Sequence, residues 1–143
     1  MKGLIIATHG DLCFGLKDTY EMVVGNFPEN TVFLSLKNGM GVDVFKENFK
    51  ENMMKLKKCD SYLILVDLEG GSPYNTASEY FYSKDYEGKI EIVTGVNLPI
   101  LVEAIDNLED MEIKELANLL LINEAIGVKK AKKIEKTEEE EEF

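Results

Sequence analysis

The sequence holds a single histidine, His9, and it closes an apolar run, Gly3-Leu-Ile-Ile-Ala-Thr-His-Gly10. A second apolar run, Tyr62-Leu-Ile-Leu-Val-Asp67, also ends at a titratable group, and Glu69-Gly-Gly-Ser-Pro73 follows at once. Such runs read as buried strands that deliver a polar side chain to their ends. Histidine exchanges a proton near neutral pH, so it can act as nucleophile or proton carrier without special help. A carboxylate beside it fixes the ring tautomer and leaves the other nitrogen's lone pair free for attack. A solitary histidine is more often a hydrogen-bonded structural residue. The second run shifts that balance toward chemistry.

What such a nucleophile attacks is suggested by Gly70-Gly71-Ser72, which precedes a helix start. Free backbone N–H groups and the positive helix end favour an anion there. The Ser72 hydroxyl serves either as helix cap or as a further donor, and the two glycines serve close approach, positive φ or simply a tight turn. Thr8, Gly70, Gly71 and Ser72 are therefore the candidate phosphoryl-binding residues. Neither a P-loop nor a dinucleotide-binding glycine pattern is present, and no cluster has metal-ligand spacing, so no cofactor and no metal are expected. Cys13 and Cys59 lack CxxC spacing and fit a reducing compartment as packing residues. A reactive thiol at Cys13 would need cationic neighbours, which the sequence does not place there. A nucleophilic histidine beside an anion cradle points to transient carriage of a phosphoryl group.

The elements that must position these residues are legible in the apolar pattern. Runs at Gly3 to Thr8, Thr31 to Leu36, Tyr62 to Val66 and Lys89 to Thr94 read as strands. All but the second are nearly continuous in apolar or β-branched residues, as in a parallel sheet covered on both faces. Helical spacing fills the gaps. Leu12 to Val24 sets Leu12, Leu16, Tyr20 and Val23 on one stripe, ended by Gly25. Asp43 to Lys57 carries Val44, Phe45, Phe49, Met53 and Leu56, with Asp43 as cap. Ser72-Pro73 opens a third helix and Asn97 to Leu108 forms a fourth, each with proline in the first turn. A last helix is expected from about Asp110 to Ile126, with Ile113, Leu116, Leu120 and Leu121 inward.

Strand and helix alternate throughout, which predicts an α/β domain: a doubly wound, mostly parallel open sheet with helices on both faces. Ligands of such sheets bind at the carboxyl ends of the strands, where strand order reverses. The polar, glycine-containing segments fall there: Thr8-His9-Gly10, Lys37 through Gly41, Asp67 through Asn75, and Thr94 through Asn97. His9 and Asp67 end neighbouring strands if the first strand is central.

At 143 residues and 16.2 kDa the chain is one domain, and 45% hydrophobic content excludes general disorder. No apolar stretch reaches the roughly 18 residues of a membrane span, and Met1-Lys-Gly leads straight into a strand, so a cytoplasmic location is expected. A formal net charge of −11 disfavours nucleic acid as partner. Positions 131–143 are expected to form a charged, solvated, disordered tail that includes five successive glutamates, Glu138 to Glu142. Val128 through Ile134, just before them, is basic, which suits a helix C-terminus without any ligand.

Taken together, Thr8-His9-Gly10, Val66 through Asn75 and Val93-Thr94-Gly95-Val96-Asn97-Leu98-Pro99 resemble the IIA component of the mannose/fructose/sorbose family of the bacterial phosphoenolpyruvate-dependent sugar phosphotransferase system. The likeness runs from Met1 to about Lys130, with the motifs in the family's order and spacing, and defines a domain over 1–130. The resemblance implies a phosphotransferase in which His9 accepts a phosphoryl group from HPr and passes it to a histidine of the cognate IIB component. Membrane IIC and IID partners are engaged only indirectly. It implies that Asp67 orients His9 with Nδ1 held and Nε2 phosphorylated, and that Ser72 is the active-site serine. It further implies a homodimer with an exchanged antiparallel C-terminal strand, to be sought after Gly127.

One position departs from the family: Glu69 stands where an aromatic or apolar residue is usual, beside the active histidine and in contact with IIB. A carboxylate there opposes a phosphoryl group by on the order of 1 kcal/mol at a wet site, unless the IIB partner is specialised or Glu69 turns to solvent. Glu69, with Asn38, Met40 and Asn97, forms the expected partner-facing set. Two other readings stay open. One is the phosphotransfer subunit of dihydroxyacetone kinase, which shares the fold but is disfavoured by the Gly-Gly-Ser-Pro and Gly-Val-Asn-Leu-Pro segments. The other is a non-catalytic regulatory module of the same fold.

Overall fold

Apolar residues on both faces of the strands decide the architecture. The computed structural model describes residues 1–134; most of the expected tail, 131–143, lies outside the described residues. The chain runs β1 (Lys2–His9), α1 (Leu12–Val23), β2 (Thr31–Leu36), α2 (Val42–Lys55), β3 (Ser61–Val66), α3 (Ser72–Phe81), a 3-10 turn (Lys84–Tyr86), β4 (Ile90–Val93), α4 (Leu98–Asn107), α5 (Ile113–Leu119) and α6 (Asn123–Ile126). The four strands form one sheet in the order β2-β1-β3-β4, and every pairing is parallel. The expected doubly wound α/β fold is present.

Successive strand residues face opposite ways, so each strand feeds two cores. Leu4, Ile6, Leu63, Leu65 and Val93 meet Leu16 and Tyr20 of α1, Leu101 and Ala104 of α4, and Leu116 of α5. Ile5, Ala7, Ile64, Val66 and Ile90 meet Phe45, Phe49 and Met53 of α2 and Ala77 of α3. Right-handed crossovers require this division, because the chain moves one way along the sheet from β1 to β2 and the other way afterwards. Many of these side chains are fully excluded from water. Truncating one such as Leu101 or Leu116 to alanine costs about 2–5 kcal/mol.

The structure departs from the sequence reading in three places. Leu12, Val23 and Val44, counted on inner stripes, are exposed; the buried stripes are narrower, three residues each in α1 and α2. The caps shift by a residue or two: Gly41, not Asp43, caps α2, and Gly71, not Ser72, caps α3. The single last helix is broken after Leu120, where the Leu121 and Ile122 N–H groups donate to Asn118 and Leu119, three residues back. Leu121 consequently turns outward and is 64% exposed.

Beyond the break the chain is tied to the start of α4. The Asn97 side chain caps α4 by accepting the Ile100 N–H at 2.8 Å, and its Nδ2 donates to the Ile126 carbonyl at 3.0 Å. Gly127, at φ 75°, packs so tightly on Pro99 that a Cβ there would lie 2.5 Å from two ring carbons.

Candidate active site

The strand order reverses between β1 and β3, so the crevice of a doubly wound sheet opens at their carboxyl ends. β1 places His9 as its last residue, and Asp67 follows the last residue of β3. The two side chains meet: His9 Nδ1 lies 2.9 Å from Asp67 Oδ2. The same oxygen accepts the His9 backbone N–H at 3.0 Å, while Oδ1 accepts the Leu68 N–H at 3.0 Å. A carboxylate can only accept, so Nδ1 carries the proton and Nε2 holds the lone pair. Asp67 is 11% exposed and the imidazole 42%. The carboxylate is sheltered, and the ring it contacts is partly open to solvent.

The loop from Gly70 to Ser72 lies against that ring, and its two glycines do different work. Gly70 has φ 79° with open space where a Cβ would stand, so its backbone conformation is what excludes a side chain. Gly71 has ordinary extended dihedrals, φ −75° and ψ 169°, but a Cβ there would fall 2.5 Å from His9 Cε1 and 3.1 Å from Nε2. It leaves room for the imidazole. Ser72 is the first residue of α3 and Gly71 holds the cap position, so the Ser72 hydroxyl is not the helix cap. First-turn N–H groups have no partner within a helix, and Pro73 removes one of them. Those that remain, at the positive helix end, suit an anion beside Nε2.

Other expected site residues take different places. Thr8 is fully buried, and its hydroxyl oxygen accepts the Cys13 N–H at 2.9 Å, so it braces the start of α1 instead of facing the crevice. Asn97 is spent on α4 and α6, as described above. Glu69 and Asn38 are exposed, and Met40 is half-buried against the α2–α3 core. Beside Glu69, Leu68 is 61% exposed. Cys13 and Cys59 are buried, and burial pushes both thiols up from their ordinary range, which makes them poor nucleophiles.

Two supports escaped the sequence reading. Ser35 donates its hydroxyl proton to the Gly10 carbonyl and steadies the turn after His9. Asn75 Nδ2 donates to the Gly70 carbonyl at 3.1 Å and holds the glycine loop. A hydroxyl inside the apolar β2 run was the available signal for the first. Among the described residues there is no metal-binding cluster of His, Cys, Asp and Glu, and no helix is long and apolar enough to cross a membrane.

Comparison with known proteins gives concordant matches. The family model described as PTS system fructose IIA component matches residues 3–121. The fructose-specific EIIA component of Bacillus subtilis is 32% identical over 120 residues, covering 84% of this chain and 80% of that protein. The mannose-specific EIIAB component of Escherichia coli K12 is 35% identical over 136 residues, covering 93% of this chain but 41% of that protein. The chain thus spans about two fifths of the length of that two-part relative. Among solved structures, the mannose/sorbose-specific IIA subunit from Enterococcus faecalis superposes with a TM-score of 0.79 over 96% of this chain and 100% of the other, at 24% identity, a likeness of fold.

Proposed function

The chain belongs to the mannose-type IIA family of the sugar phosphotransferase system, and from that premise we propose that His9 is its phosphoryl carrier. Nε2 takes the group from phospho-HPr and gives it to a histidine of a cognate IIB component, in the cytoplasm. The observation that carries this reading is the 2.9 Å contact that commits Nδ1 to Asp67 and leaves Nε2 open beside Gly71.

The transfer balances without an added reactant. The Nε2 lone pair forms the new P–N bond as the donor's P–N bond breaks, and that electron pair returns to the donor imidazole. The His9 ring gains positive charge, which the Asp67 carboxylate offsets, so no proton need leave Nδ1. N–H groups at the start of α3 and the Ser72 hydroxyl receive the phosphoryl oxygens. Glu69 meets the IIB partner at the rim. The family's dimer, formed by exchange of a strand after Gly127, belongs to the same reading, and light scattering on the purified chain tests it.

Incubation with phosphoenolpyruvate, enzyme I and HPr should add one acid-labile, base-stable phosphoryl group, seen as a single mass increment. His9→Ala should abolish it. Asp67→Ala should fold and still accept the group, about 10- to 100-fold more slowly, or ~1.4–2.7 kcal/mol in barrier. Glu69→Phe should alter transfer to IIB more than uptake from HPr. An increment that survives His9→Ala ends the proposal.

A further inference from the structure

The peptide between Gly70 and Gly71 is the only Gly-Gly link in the chain. It lies against the nucleophile, because a Cβ on Gly71 would stand 3.1 Å from His9 Nε2. With no side chain on either residue, sterics do little to fix which way this peptide plane faces. A trans peptide points its C=O and its N–H in opposite directions. Turning the plane over therefore exchanges a hydrogen-bond donor for an acceptor at the same place. A phosphoryl group presents acceptor oxygens, so one orientation receives it and the other opposes it.

One residue holds this peptide. Asn75 Nδ2 donates to the Gly70 carbonyl at 3.1 Å, and the Asn75 backbone N–H donates to the Gly71 carbonyl at 2.8 Å. Both carbonyls of the pair are drawn back onto the first turn of α3, and the Gly71 N–H, opposite the Gly70 carbonyl, is turned away from Asn75. Among the described residues, the N–H groups of Glu69, Gly70, Gly71 and Ser72 donate to no protein acceptor, whereas that of Leu68 is spent on Asp67. The start of α4 is arranged the other way: Asn97 accepts the Ile100 N–H with its own side chain and fills that helix end from within. Asn75 fills no donor of α3; it removes an acceptor from the loop. Its side chain is exposed and belongs to neither core, and asparagine is a poorer helix former than alanine. Neither packing nor helix propensity accounts for an amide here.

We propose that Asn75 is a positioning residue for phosphoryl transfer: its amide fixes the Gly70–Gly71 peptide with the N–H, not the carbonyl, turned to the group on Nε2. The inference rests on the phosphoryl-transfer reading of His9 and adds what keeps the receiving loop in its donor state. Asn75 acts through the peptide and takes no part in the bond change at Nε2. Its contribution is preorganisation, a donor already aimed when charge arrives. Without the amide the peptide samples both orientations, and each transfer waits for the one that donates.

The test compares the full chain with Asn75→Ala and with Asn75→Leu, which keeps the side chain's shape without its donor. Uptake from phospho-HPr is followed by rapid quench over a range of donor concentrations. The limiting rate should fall about 3- to 10-fold in both variants, the effect of one modest hydrogen bond. The donor concentration that gives half the limiting rate should stay the same. Melting temperature should hold, because alanine and leucine both favour helix. Nitrogen-15 NMR should find the His9 ring in one tautomer in all three proteins, since Asp67 sets it. On phosphorylation the Gly71 amide proton should move downfield in the parent and much less in either variant. A parent-like limiting rate or a parent-like Gly71 shift in the variants overturns the role of Asn75, even if His9 carries the group. A slower rate that comes with a changed tautomer or a raised half-rate concentration assigns Asn75 to the shape of the site or to donor docking, and equally overturns it. If His9 is phosphorylated in no protein, the functional reading itself fails and this role falls with it.

Discussion

At the residue scale the site depends on two adjacent glycines that do opposite work. Alanine at Gly70 meets open space but must adopt φ 79°, a left-handed conformation that costs about 1–2 kcal/mol for a residue with a Cβ. Alanine at Gly71 adopts its dihedrals without strain, yet its Cβ would sit 2.5 Å from His9 Cε1. The imidazole must swing away, and its bond to Asp67 then lengthens or breaks. Gly70→Ala should therefore lower the melting temperature by a few degrees and slow phosphoryl uptake only modestly. Gly71→Ala should leave the melting temperature within a degree or two and slow uptake about 10-fold or more, ~1.4 kcal/mol. Calorimetry and rapid quench on the two variants check the contrast. Equal effects of both on uptake would remove the close-approach role of Gly71.

At the element scale, the sequence was informative where burial is continuous and uninformative where contacts distant in sequence decide. Three of the four strands are apolar nearly throughout because both faces are covered, and all four lie within about a residue of their expected bounds. His9 and Asp67 were legible for the same reason: each ends such a run. The role of Thr8 was not, because whether a hydroxyl faces the crevice or the start of α1 depends on the turn that follows it. The break between α5 and α6 was not legible either. No glycine or proline separates Asp110 from Ile126 to mark the break, and the Asn97 and Pro99 contacts that hold the chain beyond it are distant in sequence.

Asn97→Asp isolates the contribution of the Asn97 amide. The aspartate keeps an oxygen to accept the Ile100 N–H and adds a charge favourable at the start of α4. It loses the amide that donates to Ile126. Exchange of the Ile126 and Gly127 amides should accelerate at least several-fold while α4 stays protected and the melting temperature holds. Unchanged exchange would show that Gly127 on Pro99 alone fixes α6.

At the scale of the whole molecule, two cores enclose groups whose ionised forms the fold disfavours. Cys13 and Tyr20 lie in the core under α1, and Cys59 and Tyr62 in the core under α2. Burial is the leading cause that raises all four, as it does Tyr80. Tyr62 is further tied to its neutral form by donating its hydroxyl to the Leu56 carbonyl at 2.9 Å. The sign follows from linkage. An unfolded chain releases thiol protons near pH 8.5 and phenol protons near pH 10, about their ordinary values. The native state holds these protons to higher pH, so above about pH 8 the unfolded state binds fewer of them. Stability must then fall as pH rises. The stabilising contribution is complete below the unfolded values and lost through the window above them. Melting temperature should be level from pH 7 to about 8 and decline from there to about 10.5, with the thiols responsible for its first part. Circular dichroism melts of the parent and of Cys13→Ala/Cys59→Ala across that range check it. The variant should start lower, because two buried side chains are cut back, but should lose the slope between about pH 8 and 9.5. A slope identical in both proteins would mean that the thiols ionise as readily inside the fold as outside it.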